Sequence, residues 1–260
     1  MIDTHTHLFT EEFDEDRPLV MERAQQAGVK YVLMPNIDDT TVQQMLTVCD
    51  EFPGFCYPMI GFHPTSVDEN YLPKVLEMQK LLVPGHPYIA IGEVGMDLYW
   101  EKKYKLEQQD ALDRQIQWAL EWDLPVVIHC REAFPALFEV LQPYKQTKLT
   151  GILHSFTGNQ EEAVEVLSYS GFMIGVNGVV TFKKSTLPQV LSDVVPLNRV
   201  VLETDSPYLA PVPKRGKRNE SAFVLHVAEK ISDIYGLPFS EVDAMTTRNA
   251  QQIFKKITFV

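Results

Sequence analysis

Pro125-Val126-Val127-Ile128-His129 is a short apolar run that stops on a histidine. The pattern returns at Leu149-Thr150-Gly151-Ile152-Leu153-His154. Aliphatic and β-branched residues over a few positions, with no charge inside, read as a buried strand. Between the two runs, residues 133–141 carry apolar side chains at helical spacing. Strand, helix, strand at this interval is a parallel βαβ unit.

Outward from this unit the pattern continues in both directions. Further strands are expected at 2–7, 29–34, 55–61 (weakened by Pro58), 88–95, 172–176 and 199–205. Helices are expected at 18–27, after a cap at Asp38 or Asp39, and at 71–82, 105–122, 161–167, 187–195, 221–235 and 240–254. Eight strands with helices between them predict an α/β fold of the TIM type, a closed (β/α)8 barrel, as one catalytic domain over 1–260. An open doubly wound sheet is disfavoured, because no Gly-x-Gly-x-x-Gly and no phosphate loop follows a strand.

The chain has 260 residues, 45% of them hydrophobic, and a net charge of −12. That charge argues against a basic surface that coats nucleic acid, but bound divalent cations can supply positive charge locally. Cys49, Cys56 and Cys130 form no Cys-x-x-Cys pattern, which fits a reduced, cytoplasmic setting. No signal peptide, no membrane span and no obligate protein partner are expected.

In a barrel the C-terminal strand ends converge at one mouth. His5 and His7 stand two apart on the first strand and so share a face. Glu93 follows strand four, His129 strand five, His154 strand six and Asp205 strand eight. Four imidazoles and two carboxylates suffice for two divalent cations sharing one bridge. Glu93 is the natural bridge, with His5, His7 and Asp205 completing one site and His129 with His154 the other. His86 precedes a strand, on the opposite rim, and His226 is mid-helix, so both read as structural or solvated.

Six motifs stand in order: His5-Thr6-His7, Gly61-Phe62-His63-Pro64, Gly92-Glu93-Val94-Gly95-Met96-Asp97, His129-Cys130-Arg131, His154-Ser155-Phe156-Thr157-Gly158 and Glu203-Thr204-Asp205-Ser206-Pro207. Together they resemble the TatD family of metal-dependent deoxyribonucleases, over residue 3 to about residue 250. The resemblance implies a distorted TIM barrel and magnesium-dependent nuclease activity, including 3′-to-5′ exonuclease action on DNA or RNA. It implies the same metal division: His5, His7, Glu93 and Asp205 at one ion, and Glu93, His129 and His154 at the other. His63 resembles the family's phosphate-contacting or proton-transferring histidine. Many members carry Cys or Asn where Thr6 stands, a position expected to point away from the site.

The expected reaction is hydrolysis of a phosphodiester of DNA or RNA, with a single strand as the substrate partner. Asp205 or His63 moves the proton, and Glu93 bridges two ions whose identity (Mg, Mn or Zn) ligand type alone does not fix. Arg131 and Arg218 are expected at the phosphate, and Glu203 behind a histidine. Lys183-Lys184 reads as a solvated loop. Phe62, Tyr99, Trp100, Phe156 and Tyr208 are candidates for stacking on bases or for roofing the pocket. The alternatives are an amidohydrolase-like enzyme cleaving a carboxyl ester or C–N bond, such as an aminoacyl-tRNA ester, and a non-enzymatic metal binder. Many dinuclear members of that wider group carry a modified lysine after strand four, where this chain has Glu93. That tilts the expectation toward phosphodiesters.

Overall fold

A computed structural model describes residues 1–259. Eight parallel strands appear: β1 (Ile2–Asp3), β2 (Tyr31–Pro35), β3 (Cys56–Met59), β4 (Ile91–Asp97), β5 (Val126–Arg131), β6 (Gly151–Leu153), β7 (Phe172–Val176) and β8 (Val200–Leu202). They form ladders in the orders β1-β2-β3 and β4-β5-β6-β7-β8. Single parallel bridges, Ile60 with Ile91 and Thr6 with Ser206, join the ladders at both seams. Backbone bonds reinforce the second seam: Thr4 N–H to Leu202 O at 3.0 Å and Asp205 N–H to His5 O at 2.9 Å. The result is the (β/α)8 barrel, with two loosened seams.

Helices wrap the ring: α1 (Arg17–Gln26), α2 (Val42–Glu51), α3 (Tyr71–Gln79), α4 (Lys105–Trp122), α5 (Phe134–Leu141), α6 (Gln160–Ser168), α7 (Leu187–Val194), α8 (Val224–Tyr235) and α9 (Phe239–Ile253). The sequence places α4 and β7 at their observed bounds. It overextends β1, β6 and β8, because the ladders stop where histidines and carboxylates begin to turn inward. Thr41, not Asp38 or Asp39, is the residue that enters α2, and Thr41 Oγ1 accepts from Ile37 N–H (3.0 Å). Pro58 sits inside β3, where its carbonyl accepts from Ile89 N–H (3.0 Å) across the first seam.

Strand alternation separates two apolar layers. Val126, Ile128, Leu153, Ile174, Val200 and Leu202 pack outward against the helices. Leu33, Met59, Val127, Ile152, Met173 and Val201 pack together inside the ring. Two residues beyond Val127, Ile152 and Val201, on the same side of each strand, come His129, His154 and Glu203. The lumen therefore changes from hydrocarbon to ionisable groups within one strand repeat.

Candidate metal centre

Glu93 lies at the centre. It is 3% exposed, and its two oxygens face different partners. Oε2 is 3.1 Å from His5 Nε2 and 3.6 Å from His7 Nε2. Oε1 is 3.1 Å from His129 Nδ1, 3.3 Å from His63 Nε2 and 3.8 Å from His154 Nε2. Asp205 Oδ1 lies 3.6 to 3.8 Å from the Nε2 atoms of His7, His154 and His5. All six residues expected to hold metal thus meet at one rim, although their chain positions span 5 to 205.

The local backbone is shaped for this crowding. The β4–β5 register shifts between Ile91 and Val94, where Glu93 sits. A Cβ on Gly61 would lie 2.6–2.8 Å from the Gly92 and Glu93 backbone, so only glycine lets β4 approach there. Gly95, at φ +142°, meets the His129 carbonyl in the same way. Asp205 adopts a left-handed φ of 58°, and Ser155, after His154, one of 48°. Non-glycine residues held in that region store strain, and such strain concentrates at functional sites.

For His129, His154 and His63, a neighbour faces the nitrogen that points away from Glu93. His129 Nε2 is 2.9 Å from Asp97 Oδ2, which fixes the ring with Nδ1 aimed at Glu93. His154 Nδ1 is 3.1 Å from Glu203 Oε1, which turns its Nε2 inward. Glu203 is fully buried and also accepts from Ser155 N–H at 2.6 Å. His63 differs. Its Nδ1 accepts from Thr65 N–H (3.2 Å), so its Nε2 carries hydrogen and acts as a donor toward Glu93.

Charge balance follows this geometry. Burial and the neighbouring His154 lower His5 to about 4. Burial also lowers His63. Burial opposes ionisation of His129 as well, but the hydrogen bonds to Asp97 and Glu93 win and raise it to about 9. Against the same opposition, Glu203, Asp205 and Glu93 raise His154 to about 10. Burial pushes the Glu93 carboxyl upward, yet His63, His5 and His154 hold it well below the carboxylate range. Asp205 is lowered too, burial being outweighed by His154 and His7.

The donor set fits divalent cations. His5 Nε2 and His7 Nε2 face one another at 3.2 Å beside one carboxylate oxygen, and the Nδ1 atoms of both rings lack a hydrogen-bond partner. Three groupings of ligand atoms converge closely enough for an ion: His5-His7-Glu93, His63-Glu93-His129 and His5-His154-Glu203.

Around the centre opens a cavity of about 670 Å³, lined among others by His63, Arg131, Ser155, Thr157 and Tyr208. Arg131 stacks its guanidinium 3.7 Å from the Tyr99 ring and 5.4 Å from Trp100. Arg218, expected at the phosphate, is not brought there. Its guanidinium binds Asp16 (2.8 Å) and the Glu12 carbonyl and covers Phe13, pinning the acidic turn. Phe62 and Phe156 are buried packing, whereas Tyr99, Trp100 and Tyr208 are exposed. His86 lies at the far rim against Lys256, and His226 pairs with Glu229 on α8.

Several supporting residues escape the motif reading. Gln115 clamps Phe62, accepting from its N–H (2.6 Å) and donating to its carbonyl (3.2 Å). Gln108 does the same for Asp97. Asn36 Oδ1 accepts from Gly61 N–H at 2.7 Å. Gln108 and Gln115 are seven apart on α4, on the face that carries Ala111, Leu112 and Ile116, and that polar interruption was the available signal.

A histidine–carboxylate cluster at the C-terminal rim of a parallel barrel defines the class of metal-dependent barrel hydrolases. The chain belongs to the TatD related DNase family, whose model matches residues 2–255. It is 35% identical over 255 residues to the "uncharacterized metal-dependent hydrolase YabD" of Bacillus subtilis, spanning 98% of this chain and 99% of the relative. It is 30% identical over 260 residues to the "3'-5' ssDNA/RNA exonuclease TatD" of Pectobacterium carotovorum, with 98% and 99% covered. The crystal structure of YJJV, a TatD homolog from Escherichia coli, superposes with a TM-score of 0.86 at 26% identity, covering 98% of each chain. An organophosphorus hydrolase from Deinococcus radiodurans shares the fold at 14% identity and a TM-score of 0.65, covering 97% of this chain and 92% of that one. The family is hydrolytic and metal-dependent.

Proposed function

We propose that this protein hydrolyses phosphodiester bonds of single-stranded DNA or RNA, trimming from the 3′ end, with two divalent cations that Glu93 would help to hold. The observation that carries the reading is the division of Glu93, one oxygen toward His5 and His7 and the other toward His129, beneath an open cavity. His5, His7, Glu93 and Asp205 would hold one ion, and Glu93, His129 and His154 the other. Bound there, the ions would polarise a phosphoryl oxygen and make water more acidic.

The side chains supply the rest. Water attacks phosphorus, the bond to the 3′ oxygen breaks, and Asp205 takes the proton released by the attacking water. Asp205 suits this role because its lowered pKa leaves it ionised and its side chain is 14% exposed at the cavity. His63 offers its Nε2 hydrogen to a phosphate oxygen or to the leaving oxygen. Arg131, held flat by Tyr99, neutralises charge that builds on the phosphate. Asp97 ties the two regions together: one oxygen holds His129, and the other accepts from Tyr99 N–H (3.0 Å) and Trp100 N–H (3.1 Å).

The test is metal-reconstituted hydrolysis of 5′-labelled single-stranded DNA and RNA beside acyl-ester substrates, with wild type against Glu93→Ala. A ladder shortened from the 3′ end, absent in the variant, is expected. Turnover of esters alone would instead place the protein among carboxyl-ester hydrolases.

A further inference from the structure

We infer that the loops following β7 and β8 form a track for the phosphate backbone of the strand being cut, outside the metal centre. This rests on the nuclease reading above. Residues 178–186 and 206–218 carry six of the chain's 23 lysines and arginines and none of its 35 acidic residues. In a chain of net charge −12, such a segregated patch stands against the overall field.

The patch is also electrostatically unspent. Arg218 alone among these six has a carboxylate partner, Asp16. Among the described residues, Lys183, Lys184, Lys214, Arg215 and Lys217 form no ion pair. Among cations elsewhere, Arg23 pairs with Glu220, Arg114 with Asp110 and Lys145 with Glu165, whereas others, such as Lys30 and Lys230, form no ion pair among the described residues. Lys183, Lys184, Arg215 and Lys217 are exposed.

Two loops that sequence separates are locked into one surface. Val212 N–H donates to Thr181 Oγ1 (2.9 Å), and Arg215 stacks 3.8 Å over the Phe182 ring. Gly178 packs directly on the Leu209 carbonyl. Lys183-Lys184 therefore belongs with the later basic run rather than to a separate solvated loop. The same loops wall the cavity through Val179, Tyr208 and Leu209. One scissile phosphate is served by Arg131 inside the cavity. Five unpaired cations continuing outward from its wall suit an anion of repeating charge, a nucleic-acid backbone.

The test combines Lys183→Gln, Lys184→Gln and Lys217→Gln, beside the matching triple arginine variant. Anisotropy of fluorescein-labelled dT12 is read with EDTA over a salt series. Steady-state turnover of dT12 and of bis(p-nitrophenyl) phosphate is read with metal. Losing three contacts should flatten the log–log salt slope by about 2 and weaken dT12 binding by about tenfold or more at low salt. KM for dT12 should rise, with kcat, the melting temperature and turnover of the small diester unchanged, and the arginine variant should behave as wild type. An unchanged slope and KM would overturn the track, as would equal loss on the small diester. So would loss of binding to phosphatidylserine vesicles with dT12 affinity intact. Failure of the wild type itself to bind or cleave dT12 would instead remove the nuclease reading, and the track with it.

Discussion

The two ends of the barrel are built from the same strands and behave oppositely. At the bottom, Leu33, Met59, Val127, Ile152 and Val201 are capped by Phe254 and Ile257 from the turn after α9. The Lys256 ammonium there is satisfied by His86 O (2.7 Å), Tyr88 O (2.8 Å) and His86 Nδ1 (3.0 Å). At the mouth, Glu93, Asp205 and five histidines crowd together, and their net interaction is not stabilising by default, because desolvation opposes each charge. On the proposed function, one end holds the fold together and the other carries the chemistry. Removing groups from the mouth should therefore cost activity, and removing groups from the bottom should cost stability.

Glu93→Ala would break the comparison most sharply. Activity should fall on the order of a thousandfold or more, because the carboxylate proposed to serve both ions is lost with its charge. The melting temperature of the metal-free protein should hold or rise, since a strained, charged site is relieved. Metal content by plasma mass spectrometry and a parallel melt check both halves, and retained metal with a normal rate would refute the bridge. Phe254→Ala is the mirror image. Its ring is fully buried, and truncation should cost about 3–5 kcal/mol in urea unfolding while kcat per folded molecule stays the same.

Asp97→Asn tests a smaller effect at the mouth. The amide can accept from Tyr99 and Trp100 N–H but no longer bears the charge that holds His129, so metal affinity or turnover should fall about 10–100-fold. A normal metal titration would show that Asp97 serves the loop alone. Arg218→Ala should have the smallest effect. It releases the acidic turn and should lower stability by about 1 kcal/mol or less near neutral pH, with turnover of a small diester unchanged. Arg218 is the leading reason that Asp16 titrates below the ordinary aspartate range. A depressed carboxylate contributes stability above its unfolded value and loses it as the pH falls through the folded one. The gap between wild type and variant should therefore close as pH drops below about 4. Denaturant melts at neutral and acidic pH measure it.

The mouth was legible in the sequence to an unusual depth for a simple reason. His129, His154 and Asp205 each end an apolar run, and a parallel barrel sends every such ending to one rim. What escaped was lateral. Asp97 meets His129 across neighbouring strands, and Gln108 and Gln115 meet loops far from them in the chain, contacts that no spacing along one element encodes. Arg218 was misplaced because a loop position after a strand limits where a long side chain starts, not which of several anions it finds. Phe62 and Phe156 were ambiguous for the same reason, since a loop aromatic turns to solvent or core according to its neighbours.

By itself the chain dictated alternating strands and helices, the residues at the strand ends and a bias toward metal-assisted hydrolysis, because hydrophobic periodicity and ligand type are properties of local sequence. Only the closed ring decided which oxygen of Glu93 faces which histidine, which imidazole nitrogen is left free, and that two basic loops share one surface. Those outcomes depend on distances between segments far apart in the chain, and such distances exist only after the lumen has packed.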